Sequence, residues 1–155
     1  MAKFVEGSEH ISDMFEKYRK ECNIPLFVQF RYLHCPTQKV VYKISKLNPL
    51  LELITDGLNF TIVVNEEVFD KLKPEQQIIL INECFAGVNV SESDAVSLEA
   101  PTFTTHVGVL KKFGHVDVIE TKETVDLIYK QMKEQADEAK AASGETKKRG
   151  RPRRT

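Results

Sequence analysis

Six of the nine residues from Lys147 to Thr155 are Lys or Arg, and none is acidic. Arg149, Gly150, Arg151 and Pro152 stand at the centre of this run, with Lys147, Lys148, Arg153 and Arg154 around them. Guanidinium groups pair with phosphates through planar, bidentate contacts. Gly150, without a side chain, lets the backbone lie close to a surface. Pro152 fixes its own φ and favours an extended conformation at Arg151. The chemistry on offer is contact with a polyanion. Short Lys/Arg runs also act as nuclear addresses or as nonspecific anion contacts.

The other reactive side chains are scattered. Cys84 follows Glu83 and could act as a nucleophile if a histidine lay near it in space. On a mostly apolar helix such a cysteine is usually a packing residue. His34 and Cys35 are adjacent, a poor spacing for one metal ion. His106 and His115 lie nine apart with no evident carboxylate partner. The three cysteines, Cys22, Cys35 and Cys84, form no CxxC pair, which argues against a zinc ribbon or a disulfide framework and for reduced thiols. Neither a glycine-rich phosphate loop nor a GxSxG elbow is present.

The 155 residues, 41% hydrophobic and 29% charged, suffice for one domain with a core. A formal net charge of -1 conceals an asymmetry. All 23 acidic residues lie at or before Glu145, whereas six of the 22 basic ones lie between Lys147 and Arg154. The preceding chain therefore carries 16 basic against 23 acidic residues, about -7, and the tail +6. That body repels nucleic acid at long range, so the tail has to supply any attraction. No apolar segment marks a signal peptide at the N-terminus, and no run approaches a membrane span.

Ser8 is a helix cap, followed by an apolar stripe at Ile11, Met14, Phe15, Tyr18 and Cys22. After Pro25, "LFVQFRY" alternates in period two and predicts a strand. "HCPTQ" predicts a turn and "KVVYKIS" a second strand, so the pair is expected to form a hairpin. "NPLLELI" is a short helix opened by Asn48 and Pro49. "NFTIVV" fits a strand buried on both faces. Asn65 caps a short helix bearing Glu66 and Glu67 in its first turn. Pro74 opens the most apolar helix, which Gly87 ends, with Ile78, Ile81 and Phe85 along one face. Residues 88–101 are expected to be irregular, with at most one short strand. A further helix ends at Gly114. Thr121 is expected to cap a last helix carrying Val125, Ile128, Tyr129 and Met132 on one stripe, followed by a linker at "AASGET".

The segment "FTIVVNEEVFDKLKPEQQIILINECFAG", with the elements before it and "LKKFG" after it, resembles a phage-encoded metallopeptidase family of zincin-like domains. That resemblance implies an HExxH motif on the Pro74 helix, with two histidines binding zinc and the glutamate activating a zinc-bound water. Here the motif reads Asn82-Glu83-Cys84-Phe85-Ala86. Both histidine positions, Asn82 and Ala86, are replaced, and only Glu83 is kept. Glu99 and His106 lie where further ligands are implied, without a clear match to either. The resemblance thus implies a pseudo-peptidase with no catalytic residues, no bound metal and no cofactor.

The tail resembles an AT-hook, whose Arg-Gly-Arg-Pro core it matches from Arg149 to Pro152. The likeness implies binding of A·T-rich double-stranded DNA, whose narrow minor groove attracts arginine, with the flanking Lys147, Lys148, Arg153 and Arg154 on phosphates. Such a segment is expected to be disordered when free.

The expected protein is therefore α+β: a zincin-like mixed layer over residues 1–140, with a small sheet of hairpin plus buried strand on helices. Residues 141–155 are a linker and a disordered basic tail. The function that follows is a noncatalytic, phage-type DNA-binding accessory protein in the host cytoplasm or nucleoid, with a host or phage DNA-associated protein as a further partner. A divergent zinc metallopeptidase and a protein-interaction module with a nonspecific basic tail are the alternatives.

Overall fold

The computed structural model describes residues 3–100 and 105–142. The expected linker and basic tail lie almost wholly outside them. The layout is α+β, with helices on one face of a small mixed sheet. In chain order the elements are β1 (Val5–Glu6), α1 (Glu9–Glu21), β2 (Phe30–His34), β3 (Tyr42–Lys46), α2 (Pro49–Ile54), β4 (Phe60–Val64) and α3 (Glu66–Phe69). They continue with α4 (Pro74–Ala86), β5 (Val88–Val90), β6 (Val96–Leu98), α5 (Val107–Phe113) and α6 (His115–Ala142).

Local signals set the helix starts. Ser8 Oγ accepts from the Ile11 amide, Asn48 Oδ1 from Leu51 and Asn65 Oδ1 from Val68, each satisfying an amide that helix geometry leaves orphaned. Asn65 does more than cap. Buried to 1% exposure, it donates through Nδ2 to the carbonyls of Pro36 and Gln38, which fastens the loop after β2 to the start of α3.

The expected hairpin does not form. The sheet order is β1-β2-β4-β3: β4 lies between the two strands, parallel to β2 and antiparallel to β3. The apolar content of β4 explains the insertion. Phe60, Ile62 and Val64 are fully buried and Val63 nearly so, and a strand this apolar is most stable with a neighbour on each edge. The strand expected from Leu26 begins only at Phe30, where its register with Phe60 starts. Upstream the chain turns, with the Val28 amide donating to the Pro25 carbonyl at 3.1 Å, and Leu26 is left 77% exposed.

Phe15 of α1 is the aromatic centre, with its ring 5.5 to 5.9 Å from those of Tyr32, Phe69 and Phe85. Around it pack Val28, Ile62, Leu80, Ile81 and Ile128. Residues 88–98 hold a two-stranded ribbon of β5 and β6 rather than a single strand. The expected cap at Thr121 is also replaced: α6 runs unbroken from His115, and the fully buried Thr121 hydroxyl donates to the Asp117 carbonyl inside the helix. The stripe Val125, Ile128, Tyr129 and Met132 packs on the core as expected. From Lys133 to Ala142 every residue of α6 is exposed.

Candidate functional site

Asn82, Glu83 and Ala86 sit on α4, at the centre of the molecule. Helix α4 is held at its start by Pro74 and by the Gln76 side chain, which accepts from the Lys73 amide and donates to Thr124 of α6. Every residue from Ile79 to Phe85 is buried. A helix apolar on nearly all sides is a core helix, so Asn82 and Glu83 are polar groups forced inside and must find partners there.

Asn82, 5% exposed, is held from both ends. Its Nδ2 donates to the Ile78 carbonyl at 2.8 Å. Its Oδ1 accepts from Lys112 Nζ of α5 at 2.8 Å and from the Cys22 thiol at 3.5 Å. Ala86, one turn on, opens with Asn82 onto the same cleft of about 550 Å³. Glu83 points elsewhere. It lines a second cavity of about 330 Å³ with Tyr42, Gly87, Glu99 and His106. Its Oε1 accepts from the Tyr42 hydroxyl at 2.6 Å and from Lys122 Nζ of α6, while the buried Oε2 has no partner among the described residues. Burial is the main cause raising the Tyr42 hydroxyl far above its ordinary range, with the Glu83 charge adding to it, so the phenol stays protonated and donates.

This arrangement does not fit a zinc ion. Ala86 supplies no ligand atom, and the Asn82 oxygen already accepts from a cation. The Lys112 ammonium lies against Asn82 and lines the cleft onto which Ala86 opens, where it repels a second positive charge. Glu83, whose charge is matched by Lys122, opens onto the other cavity. Among the described residues no group of three His, Cys, Asp or Glu side chains could hold a metal ion.

The remaining candidates are dispersed. His34 Nδ1 accepts from the Glu66 amide at 3.1 Å and serves the β4–α3 junction. Cys35 is buried, with its thiol 3.4 Å from the Thr37 hydroxyl. His115 starts α6 at the surface. His106 and Glu99 both line the Glu83 cavity. A Cβ on Gly87 would lie 2.7 Å from the Glu99 carbonyl oxygen and 3.4 Å from the His106 ring, so glycine is required for this approach. Cys84 shares that cavity, but full burial pushes its thiol well above the usual range, and the nearby Glu83 adds to the effect. A thiol held protonated is a weak nucleophile. In the folded chain at pH about 8, iodoacetamide should leave Cys84 unmodified and label it only on unfolding. Peptide mapping would show this, and early native-state labelling of Cys84 would contradict it.

Lys112, Lys122 and Tyr42 are the partners that sequence reasoning did not single out. Tyr42 carries a signal, because it alternates with Ile44 on the inner face of β3. The two lysines carry none, since nothing in a helical stripe shows that a long side chain folds back over the core. Lys147, Lys148, Arg149, Gly150, Arg151, Pro152, Arg153 and Arg154 lie outside the described residues. No known protein family, curated protein or solved structure matches the chain.

Proposed function

We propose that this protein binds A·T-rich DNA in the minor groove through Arg149-Gly150-Arg151-Pro152 and is noncatalytic. The observation that carries the reading is the match of these residues to the AT-hook core, inside a segment of +6 that follows a body of about -7. On a narrow minor groove the two arginines run in opposite directions along the floor, and the flanking basic residues meet phosphates. The exposed end of α6 supports the reading. Ten residues beyond Met132 rise about 15 Å as helix, every one of them exposed.

The cation beside Asn82 and the missing ligand at Ala86 support a domain that works without zinc chemistry. Among the described residues no helix is long and apolar enough to cross a membrane. In this reading the protein acts in the cytoplasm or nucleoid of a phage-infected host. The tail finds DNA, and the domain meets a host or phage protein bound there. One hook binds weakly, so a second contact or a second copy strengthens the complex.

Fluorescence anisotropy with matched A·T-rich and G·C-rich duplexes tests the proposal. The A·T-rich duplex should bind at least about 10-fold tighter, because only its groove is narrow enough to hold the extended arginines. Equal affinity for the two duplexes would reduce the tail to a nonspecific polycation.

A further inference from the structure

Six large apolar side chains stand exposed at one end of the sheet. Leu26 and Phe27 precede β2, and Leu50, Leu51, Leu53 and Ile54 make up most of α2, with exposures from 44% to 79%. Asn59 brings the two stretches together. Its carbonyl accepts from the Leu47 amide at 2.9 Å, its amide donates to the Gln29 carbonyl at 3.0 Å, and its Oδ1 accepts from the Gln29 amide at 2.8 Å. Gln29 and Leu47 therefore flank Asn59, two strand spacings or about 10 Å apart. No residue of α2 is buried. A helix of six residues has little stability of its own and depends on an apolar face packed against something. At about 180 Å² for a fully exposed large apolar residue, the six leave roughly 700 Å² open. Single chains rarely leave so much together, and it approaches the roughly 800 Å² that each partner covers in a standard interface.

We infer that this end of the sheet is the contact between two copies of the chain, with α2 of each copy covered by the same patch on the other. Charge selects the occupant. The chain before the tail carries about -7, so two copies repel wherever their surfaces are acidic. This end is nearly neutral. Residues 26–30 carry no charge, and Glu52, the only charged residue from Leu47 to Thr55, is paired with Lys46 at 3.3 Å. A two-fold contact here covers both patches at once and buries no unpaired charge. Neither stretch has a cation to hold an anionic lipid surface. The pairing needs no tail residue, so it stands apart from the DNA reading. Where both hold, two copies present two hooks to one duplex.

Analytical ultracentrifugation of the full chain, nuclease-treated and at a salt concentration of about 0.5 M, is the test. A Debye length of about 4 Å then screens any contact of the tail with an acidic body or with carried-over DNA, whereas apolar burial persists. The chain should sediment at twice its 17.7 kDa mass, with a Kd of about 1–10 µM. Leu53→Glu and, separately, Leu26→Glu should each weaken pairing at least about 100-fold by placing an unpaired carboxylate in the contact. Both positions are exposed in the single chain, so the melting temperature below the Kd should not change. Leu127→Glu adds the same charge at an exposed site on α6 and should leave pairing intact. Hydrogen exchange needs no variant: α2 amides should exchange at least about 10-fold faster on dilution well below the Kd. A chain that stays monomeric up to about 100 µM, whether or not it captures another protein or binds vesicles, would overturn the proposal. So would full-strength pairing in either Leu53→Glu or Leu26→Glu, its loss in Leu127→Glu, or exchange in α2 that ignores dilution.

Discussion

Ending the chain after Gly144 should lower its affinity for an A·T-rich duplex at least about 100-fold at low salt and nearly abolish the salt dependence of what remains. The reason is electrostatic. The shortened chain, which also loses Glu145, keeps 16 basic against 22 acidic residues, so no net attraction to a polyanion survives. In the full chain, the six tail cations together should neutralise about five phosphates. Log K then falls against log salt with a slope of about -4.5, equivalent to about 500-fold between 50 and 200 mM. The fold should not suffer, because the last α6 side chain packed on the core is Met132. An unchanged melting temperature would confirm that folding is intact. A shortened chain that bound A·T-rich DNA as tightly as the full one would move the DNA contact to the domain and end the hook reading. Arg149→Ala with Arg151→Ala sharpens the result. If these arginines sit in the groove, the pair should erase the A·T preference more than it reduces total affinity.

Lys122→Met should destabilise the fold by about 2–3 kcal/mol. Glu83 is 5% exposed, and its Oε1 is shared between the Tyr42 hydroxyl and Lys122 Nζ. Removing the ammonium leaves a buried carboxylate with one phenol and an Oε2 that has no partner among the described residues. Breaking a fully buried pair costs about 3–5 kcal/mol. The smaller figure follows from the 32% exposure of the Lys122 side chain, which lets water screen part of the interaction. The melting temperature should fall by about 5–10 °C. Adding Glu83→Gln to Lys122→Met should recover most of the loss, because a neutral amide needs no counterion. Denaturant melts of the single and double variants decide the matter. A loss below about 0.5 kcal/mol in Lys122→Met, or no recovery in the double variant, would show that Lys122 is not the counterion of Glu83.

The sequence alone determined the features that depend on near neighbours. Ser8, Asn48 and Asn65 announce helix starts, and Pro74, Gly87 and Gly114 punctuate helices, because a cap or a break involves only the adjacent turn. The unbroken apolar run at Phe60–Val64 signals a strand buried on both faces. The charge division and the Arg149-Gly150-Arg151-Pro152 core are likewise read in the chain itself. The period-two pattern from Leu26 overran the real strand, because alternation marks a possible strand and only a pairing partner makes one.

Tertiary structure decided which strands pair and what the polar core residues do. A plausible turn between β2 and β3 says nothing about β4, which enters between them from 14 residues beyond the end of β3 because its apolar side chains need cover on both edges. Asn82 and Glu83 are legible in the sequence as polar residues on a mostly apolar helix. Their partners are not, because Lys112 comes from α5 and Lys122 from α6, 30 and 39 residues away. Their long side chains reach the core only once those helices are docked on α4. Desolvation then requires a partner for each buried polar group, and the packed fold alone determines which lysine is close enough to be one.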